Sequence, residues 1–253
     1  MNTAGGSAAD DFIEGGQSVG AERGWAWIAG GWKFALPHLG IFVVIVLVYL
    51  VLSIVVGLVP LIGSLAIALV TPVFNGGIML GCEAMRRGEP LTVGHLFAGF
   101  SRHTGPLVAL GAIKLVVGLL ILVIGIVAAG GALLPFFMSG GEADPEQLAA
   151  LLTSILLFVL IILALSVPLY MALWFAPALI VLEGLEVMPA LKASFNACLK
   201  NIVPFLIYGL VLFVLAIVAS IPILLGWLLL APVVFASIYV GYRDVFHADG
   251  GTA

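Results

Sequence analysis

The sequence predicts an all-α fold, a polytopic membrane bundle of six transmembrane helices, on three observations. Of 253 residues, 63% are hydrophobic and 9% charged, and the mean hydropathy is +1.30. Soluble domains carry about a quarter charged residues, so this chain has too few to cover a water-facing surface. Several uncharged runs exceed the roughly 18 residues needed to cross a hydrocarbon core of about 30 Å. These runs are continuously apolar, without the period-two alternation of a transmembrane β-barrel.

Residues 1–22 hold Asp10, Asp11, Glu14 and Glu22 among Gly, Ala and Ser, with no basic residue. They predict a disordered acidic tail and lack the basic start and cleavage site of a signal peptide. The transmembrane domain is expected over residues 23–243, with a short tail over 244–253. In "RGWAWIAGGWKF", Trp25, Ile28, Trp32 and Leu36 share one helical face and Arg23 and Lys33 lie off it. That pattern predicts an amphipathic helix in the headgroup region, with Trp25, Trp27 and Trp32 as interfacial anchors. Pro37 is expected to end it.

Span one is Leu39–Val59, turning at "PLIG" into span two, Ser64 to about Cys82. Span two contains "TPVFNGG", where Pro72, Gly76 and Gly77 predict a kink or loosening. Span three is Pro106 to about Gly130, with Lys114 its only charge, and a Gly/Pro-rich acidic loop is expected over residues 131–147. The uncharged run Leu148–Leu182 would make a helix of about 50 Å. It reads as one tilted span kinked near Pro168, with Pro177 a second, lesser kink site. Spans five and six, Pro204–Ile221 and Ile223–Tyr242, turn at Pro222.

Six spans put Arg23, Lys33, Arg86, Arg87, Arg102, Lys192, Lys200 and Arg243 on one side, and no Lys or Arg on the other. Basic residues favour the cytoplasmic side, so both termini are expected there. Splitting Leu148–Leu182 into two spans would export Lys192, Lys200 and Arg243. Cys82 and Cys198 then fall near the reducing side, with no partner at metal-ligand spacing.

The amphipathic pattern recurs before spans three ("HLFAGFSRHTGP") and five ("LKASFNACLKNIVP"), each time ending in a proline. Each even-numbered span also carries a proline: Pro72, Pro177 and Pro232. Three pseudo-repeats are inferred, each an amphipathic cytoplasmic interfacial helix followed by a transmembrane hairpin. Amphipathic connections are also ordinary in any helical bundle.

"GWAWIAGGWKF", "MALWFAPALIVLEG", "ALKASFNACLKNIVPFLIYGL" and "SIYVGYRDVF" resemble a group of uncharacterised proteobacterial inner-membrane proteins. More loosely, they are similar to the membrane domain attached to some glycerophosphodiester phosphodiesterases. The resemblance covers roughly residues 20–246. It implies a six-helix inner-membrane protein and brings no activity, since no phosphodiesterase catalytic domain is present.

No nucleotide-binding, hydrolase or metalloprotease motif occurs. His38, His95, His103 and His247 sit at span borders or in polar segments, where interfacial histidines are ordinary. Two features invite chemistry. Lys114 lies inside span three, and an intramembrane charge is costly enough to suggest function. Thr71 and Asn75 bring polar groups beside the "TPVFNGG" break. Lys114 either snorkels to the headgroups or turns inward towards Glu83, Glu183 or Asn75. Small residues in span two also serve close helix packing.

The leading expectation is a non-enzymatic inner-membrane scaffold or accessory component. A small-solute transporter or channel is the alternative. No cofactor, metal or nucleic acid is expected. The expected partners are the lipid bilayer and another membrane protein or further copies of the chain.

Overall fold

Hydrocarbon offers no water to unpaired peptide groups, so continuous apolar runs close their hydrogen bonds within helices. A computed structural model describes residues 12–138, 144–223 and 225–248, and helices dominate them. Helix α1 (Arg23–Ala35) passes through one 3-10 turn, Leu36–His38, into α2 (Leu39–Gly57). Helix α3 is Ile62–Arg86. Two single turns, α4 (Gly94–Phe97) and α5 (Gly99–Arg102), lead to α6 (Thr104–Met138). There follow α7 (Pro145–Trp174), α8 (Ala176–Glu183), α9 (Val187–Lys200), α10 (Ile202–Ser220) and α11 (Trp227–Phe246). Among the described residues, six helical stretches are long and apolar enough to cross a membrane.

Helices α3, α8 and α11 form the interior, and α2, α6, α7 and α10 expose rows of Leu, Ile and Val. Both short hairpin turns place an aliphatic residue after proline at positive φ: Leu61 at φ 60° and ψ −58°, in a γ-turn closed by the Ile62 N–H on the Pro60 carbonyl at 2.7 Å, and Ile223 at φ 52°. Such backbone costs about 1–3 kcal/mol for an L-residue. Both side chains project from the turn tips, 79% and 89% exposed.

Helix α3 is unbroken through "TPVFNGG". A Cβ at Gly77 would collide with the carbonyls of His95 and Leu96. Its glycine therefore lets α4 approach the α3 backbone rather than loosening the helix. Helix α6 continues past Gly130 to Met138, so much of the expected 131–147 loop is helical. Glycine costs about 1 kcal/mol in a helix, whereas an unpaired peptide group in hydrocarbon costs several. Residues 139–143 of that loop lie outside the described residues. The Asp144 side chain accepts the Gln147 N–H at 2.8 Å and starts α7.

The 148–182 run is a single passage, α7 plus α8. Its break falls at Phe175, two residues before Pro177, and Pro168 stays inside α7. Ser194 of α9 bridges the break: its hydroxyl accepts the Phe175 N–H at 3.0 Å and donates to the Met171 carbonyl at 2.7 Å. A side chain from another helix thus replaces the lost intrahelical bonding.

Two expected tails belong to the fold. Residues 12–22 run along the ends of α9 and α11: Ile13 N–H donates to the Phe246 carbonyl and Gln17 N–H to the Val245 carbonyl, both at 2.8 Å. The Asn201 amide accepts from Val19 N–H and donates to the Gln17 carbonyl, again at 2.8 Å. Lys200 Nζ donates to the carbonyls of Gly15 and Gly16. At the other terminus, Asp244, Val245, Phe246 and His247 are buried. Residues 1–11 and 249–253 of the expected tails lie outside the described residues.

Helix α1 corrects the anchor assignment of Trp27. Its indole is 1% exposed and packs on Phe205 (centroids 5.2 Å apart) and Tyr208 (6.0 Å). Ile28 is buried too, whereas Trp25 and Trp32 remain 58% and 43% exposed. The helix lies against α10 and α11. A Cβ at Gly31 would stand 2.6 Å from Ser237 N, so the helix pair requires glycine there. The core thus gathers at the end of the bundle where α3, α8 and α11 terminate.

Candidate functional site

Proline at 72 withholds one N–H from α3, and nearby side chains supply polar groups. The Thr71 hydroxyl donates to the Ile67 carbonyl at 2.7 Å and lies 3.4 Å from the Tyr49 hydroxyl. Asn75 follows one turn later. Opposite them, α6 contributes Lys114 and Leu110, α7 contributes Tyr170, Leu173 and Trp174, and α8 contributes Pro177. Together with Ile238 they enclose a cavity of about 200 Å³. Lys114 Nζ stands 5.8 Å from the centre of the Tyr170 ring, within reach of the ring's negative face.

Three of the five expected polar residues, Lys114, Asn75 and Thr71, therefore line one cavity. Glu83 and Glu183 do not. No carboxylate is among its lining residues. Asn75 and Glu83 are eight residues apart on one helix, about 12 Å along its axis.

The two glutamates serve the end of the bundle instead. Each interior helix finishes in an acid: Glu83 in α3, Glu183 in α8 and Asp244 in α11. A carboxylate at a helix C-terminus opposes the helix dipole, so each needs compensating donors. Glu83 accepts from Arg86 Nη2 at 2.7 Å, Arg87 Nε at 2.8 Å and the Tyr239 hydroxyl. Glu183 accepts from the Tyr242 hydroxyl and lies 3.3 Å from His247 Nε2. Asp244 pairs with the Arg23 guanidinium and accepts from Trp27 Nε1 at 2.7 Å. Sequence reasoning missed Asp244, Tyr239, Tyr242 and Arg23 as members of this cluster. The two tyrosines one helical turn apart, followed by Arg243 and Asp244 in "SIYVGYRDVF", were the available signal.

Two apolar grooves flank the bundle. One, about 470 Å³, runs between α7, α9 and α10 and is lined by residues including Tyr170, Trp174, Leu199, Ile202 and Leu206. The other, about 620 Å³, follows the α10–α11 hairpin and is headed by Trp25, Trp32 and Lys33. Cys82 and Cys198 are free and buried, and burial pushes the Cys198 thiol up to about 12. Among the described residues, no group of three or more His, Cys, Asp or Glu could hold a metal ion.

This arrangement is a membrane bundle with a small cavity lined by Lys114, and its match to a family model spans residues 34–243. The chain belongs to the family described as a domain of unknown function, DUF7847. It is also similar to a probable inner membrane protein of Burkholderia thailandensis. The two are 28% identical over 210 residues, covering 80% of this chain and 76% of that protein. No solved structure matches. Neither description names a catalytic activity, and neither carries the looser likeness to glycerophosphodiester phosphodiesterases.

Proposed function

We propose that this protein is a non-enzymatic accessory or scaffold component of the bacterial inner membrane, with both termini in the cytoplasm. The observation that carries the reading is how the acids at the helix ends are used. Glu83, Glu183 and Asp244 are each held by this chain's own donors, and the polar cavity has a single charged residue in its lining. Acid–base or nucleophilic chemistry needs convergent titratable groups, and a lone lysine supplies one. The exposed apolar faces of α2, α6, α7 and α10 meet lipid or other membrane helices. The named relative and the eight-to-none distribution of basic residues support the location and orientation.

Purification in mild detergent, followed by mass spectrometry and size analysis, tests this reading. A membrane protein recovered near stoichiometry, or a defined homo-oligomer, is the expected result. Recovery as a monomer with lipid alone, from every detergent tried, counts against it.

The Lys114 cavity favours one second reading, a small-solute transporter. Its test is solute-evoked current or flux in proteoliposomes that disappears in Lys114→Met.

A further inference from the structure

The polar cavity and the α7–α10 groove are neighbours, and Tyr170 and Trp174 line both. On one side of these two rings stands Lys114, with Thr71 and Asn75 and no acid. On the other lies about 470 Å³ of apolar space lined by Leu163, Val167, Ile202 and Leu206. An ammonium in an apolar bundle is stabilised by a counter-anion or by hydration. Here the chain offers it the Tyr170 ring at 5.8 Å, with an amide, a hydroxyl and the Trp174 indole around the same cavity. A cation and neutral hydrogen-bonding groups beside an apolar trough complement a molecule with one anionic end and one aliphatic chain.

We infer that Lys114, Thr71, Asn75, Tyr170 and Trp174 form the head-group end of a binding site for a single-chain anionic amphiphile, a long-chain carboxylate. Its aliphatic chain lies in the α7–α10 groove. The carboxylate pairs with the Lys114 ammonium, and the Asn75 amide donates to its oxygens, while the Thr71 hydroxyl, committed to the Ile67 carbonyl, adds a polar wall beside them. A cavity of about 200 Å³ admits a carboxylate and its first methylenes, and the adjoining groove of about 470 Å³ takes one aliphatic chain. The site stands apart from the accessory-protein reading, and neither depends on the other.

The test uses the full chain, purified in a non-ionic detergent and stripped of fatty acid, with tryptophan emission as the signal. Dibromostearate quenches an indole that its chain touches, and unbrominated oleate and oleyl alcohol compete with it. Saturable quenching is expected, lost in large part in Trp174→Phe. Oleate should displace the probe at least tenfold more effectively than oleyl alcohol, and Lys114→Gln should abolish that preference while Lys114→Arg retains much of it. Equal competition by oleate and the alcohol in the wild-type protein overturns the proposal without reliance on any variant. Displacement by millimolar acetate or inorganic phosphate, as effective as by oleate, also overturns it and assigns the cavity to a small free anion. Displacement by phosphatidylglycerol as effective as by oleate overturns the single-chain assignment.

Discussion

Trp27 Nε1 donates to Asp244 Oδ2 at 2.7 Å across 217 residues of sequence. The bond ties the first helix to the end of the last and uses an indole that the sequence alone assigns to the membrane surface. Trp27→Phe keeps the ring's packing on Phe205 and removes the donor. Asp244 would retain Arg23, so the expected loss is about 1–3 kcal/mol, that of one buried bond to a charged acceptor. Arg23→Met should cost as much or more, because it leaves the buried carboxylate with the indole alone. Arg23 itself is about a third exposed, which moderates that loss. Thermal unfolding in one detergent orders the two variants. A Trp27→Phe protein as stable as wild type would show that the bond contributes nothing.

Gly31 and Gly209 give a matched pair of substitutions. A side chain at Gly31 enters the backbone of Ser237, whereas nothing lies within 4 Å of a Cβ at Gly209. Gly31→Val should prevent recovery of folded protein, and Gly209→Val should be tolerated. Fluorescence-detected size exclusion of both would decide it. A monodisperse Gly31→Val protein would disprove the close α1–α11 approach.

The docked segment over residues 12–22 should resist proteolysis in the native protein. Asn201→Ala removes two of its anchors, to Val19 and Gln17. Cleavage within this segment should therefore accelerate about tenfold or more, with the six spans left intact. Cleavage at the wild-type rate would mean that the Asn201 amide does not hold it.

Cys198 is 3% exposed, and its thiol is held near 12 by burial. Its thiolate fraction at neutral pH is thus far below that of a free cysteine. Maleimide should label it only when α9 lifts from α7 and α8 or the protein unfolds. The labelling rate at pH 8 therefore reports on unfolding. Rapid stoichiometric labelling in the folded state would contradict the packing of α9.

Topology is open to reporter fusions. Alkaline phosphatase joined after Gly141 should be active, and the same fusion after Gly250 inactive, if both termini lie in the cytoplasm. Periplasmic activity at Gly250 alone would invert the orientation, and activity at both sites would contradict the three crossings between them.

What the sequence made legible follows from the range of each interaction. Six spans could be read because each is a local run of apolar residues. Lys114, Thr71 and Asn75 could be singled out because a charge or a proline-flanked polar pair is conspicuous in such a run. Their meeting in one cavity depends on how α3, α6 and α7 pack, which no window of sequence contains. Trp27 was misplaced for that reason: its donor finds Asp244 in another part of the chain. The 12–22 segment looks disordered because it is polar and aperiodic, yet it is held by backbone bonds and by Lys200 and Asn201. Helix α6 outlasts the end expected at Gly130, because a glycine costs only about 1 kcal/mol in a helix, too little to stop one that runs on into apolar sequence.

The three interior helices do not become complete in the order in which they are made. A ribosome releases α3 with Glu83, then α8 with Glu183, long before Tyr239, Tyr242 and His247 exist to bond to them. Residues 12–22 likewise wait for Val245 and Phe246. The nine residues from Tyr239 to His247 therefore act as a closing latch on everything synthesised earlier. A chain that stops short of them would carry its full set of apolar helices except the last. It would insert, and it would still show an open acid-lined end to the proteases that survey membrane proteins.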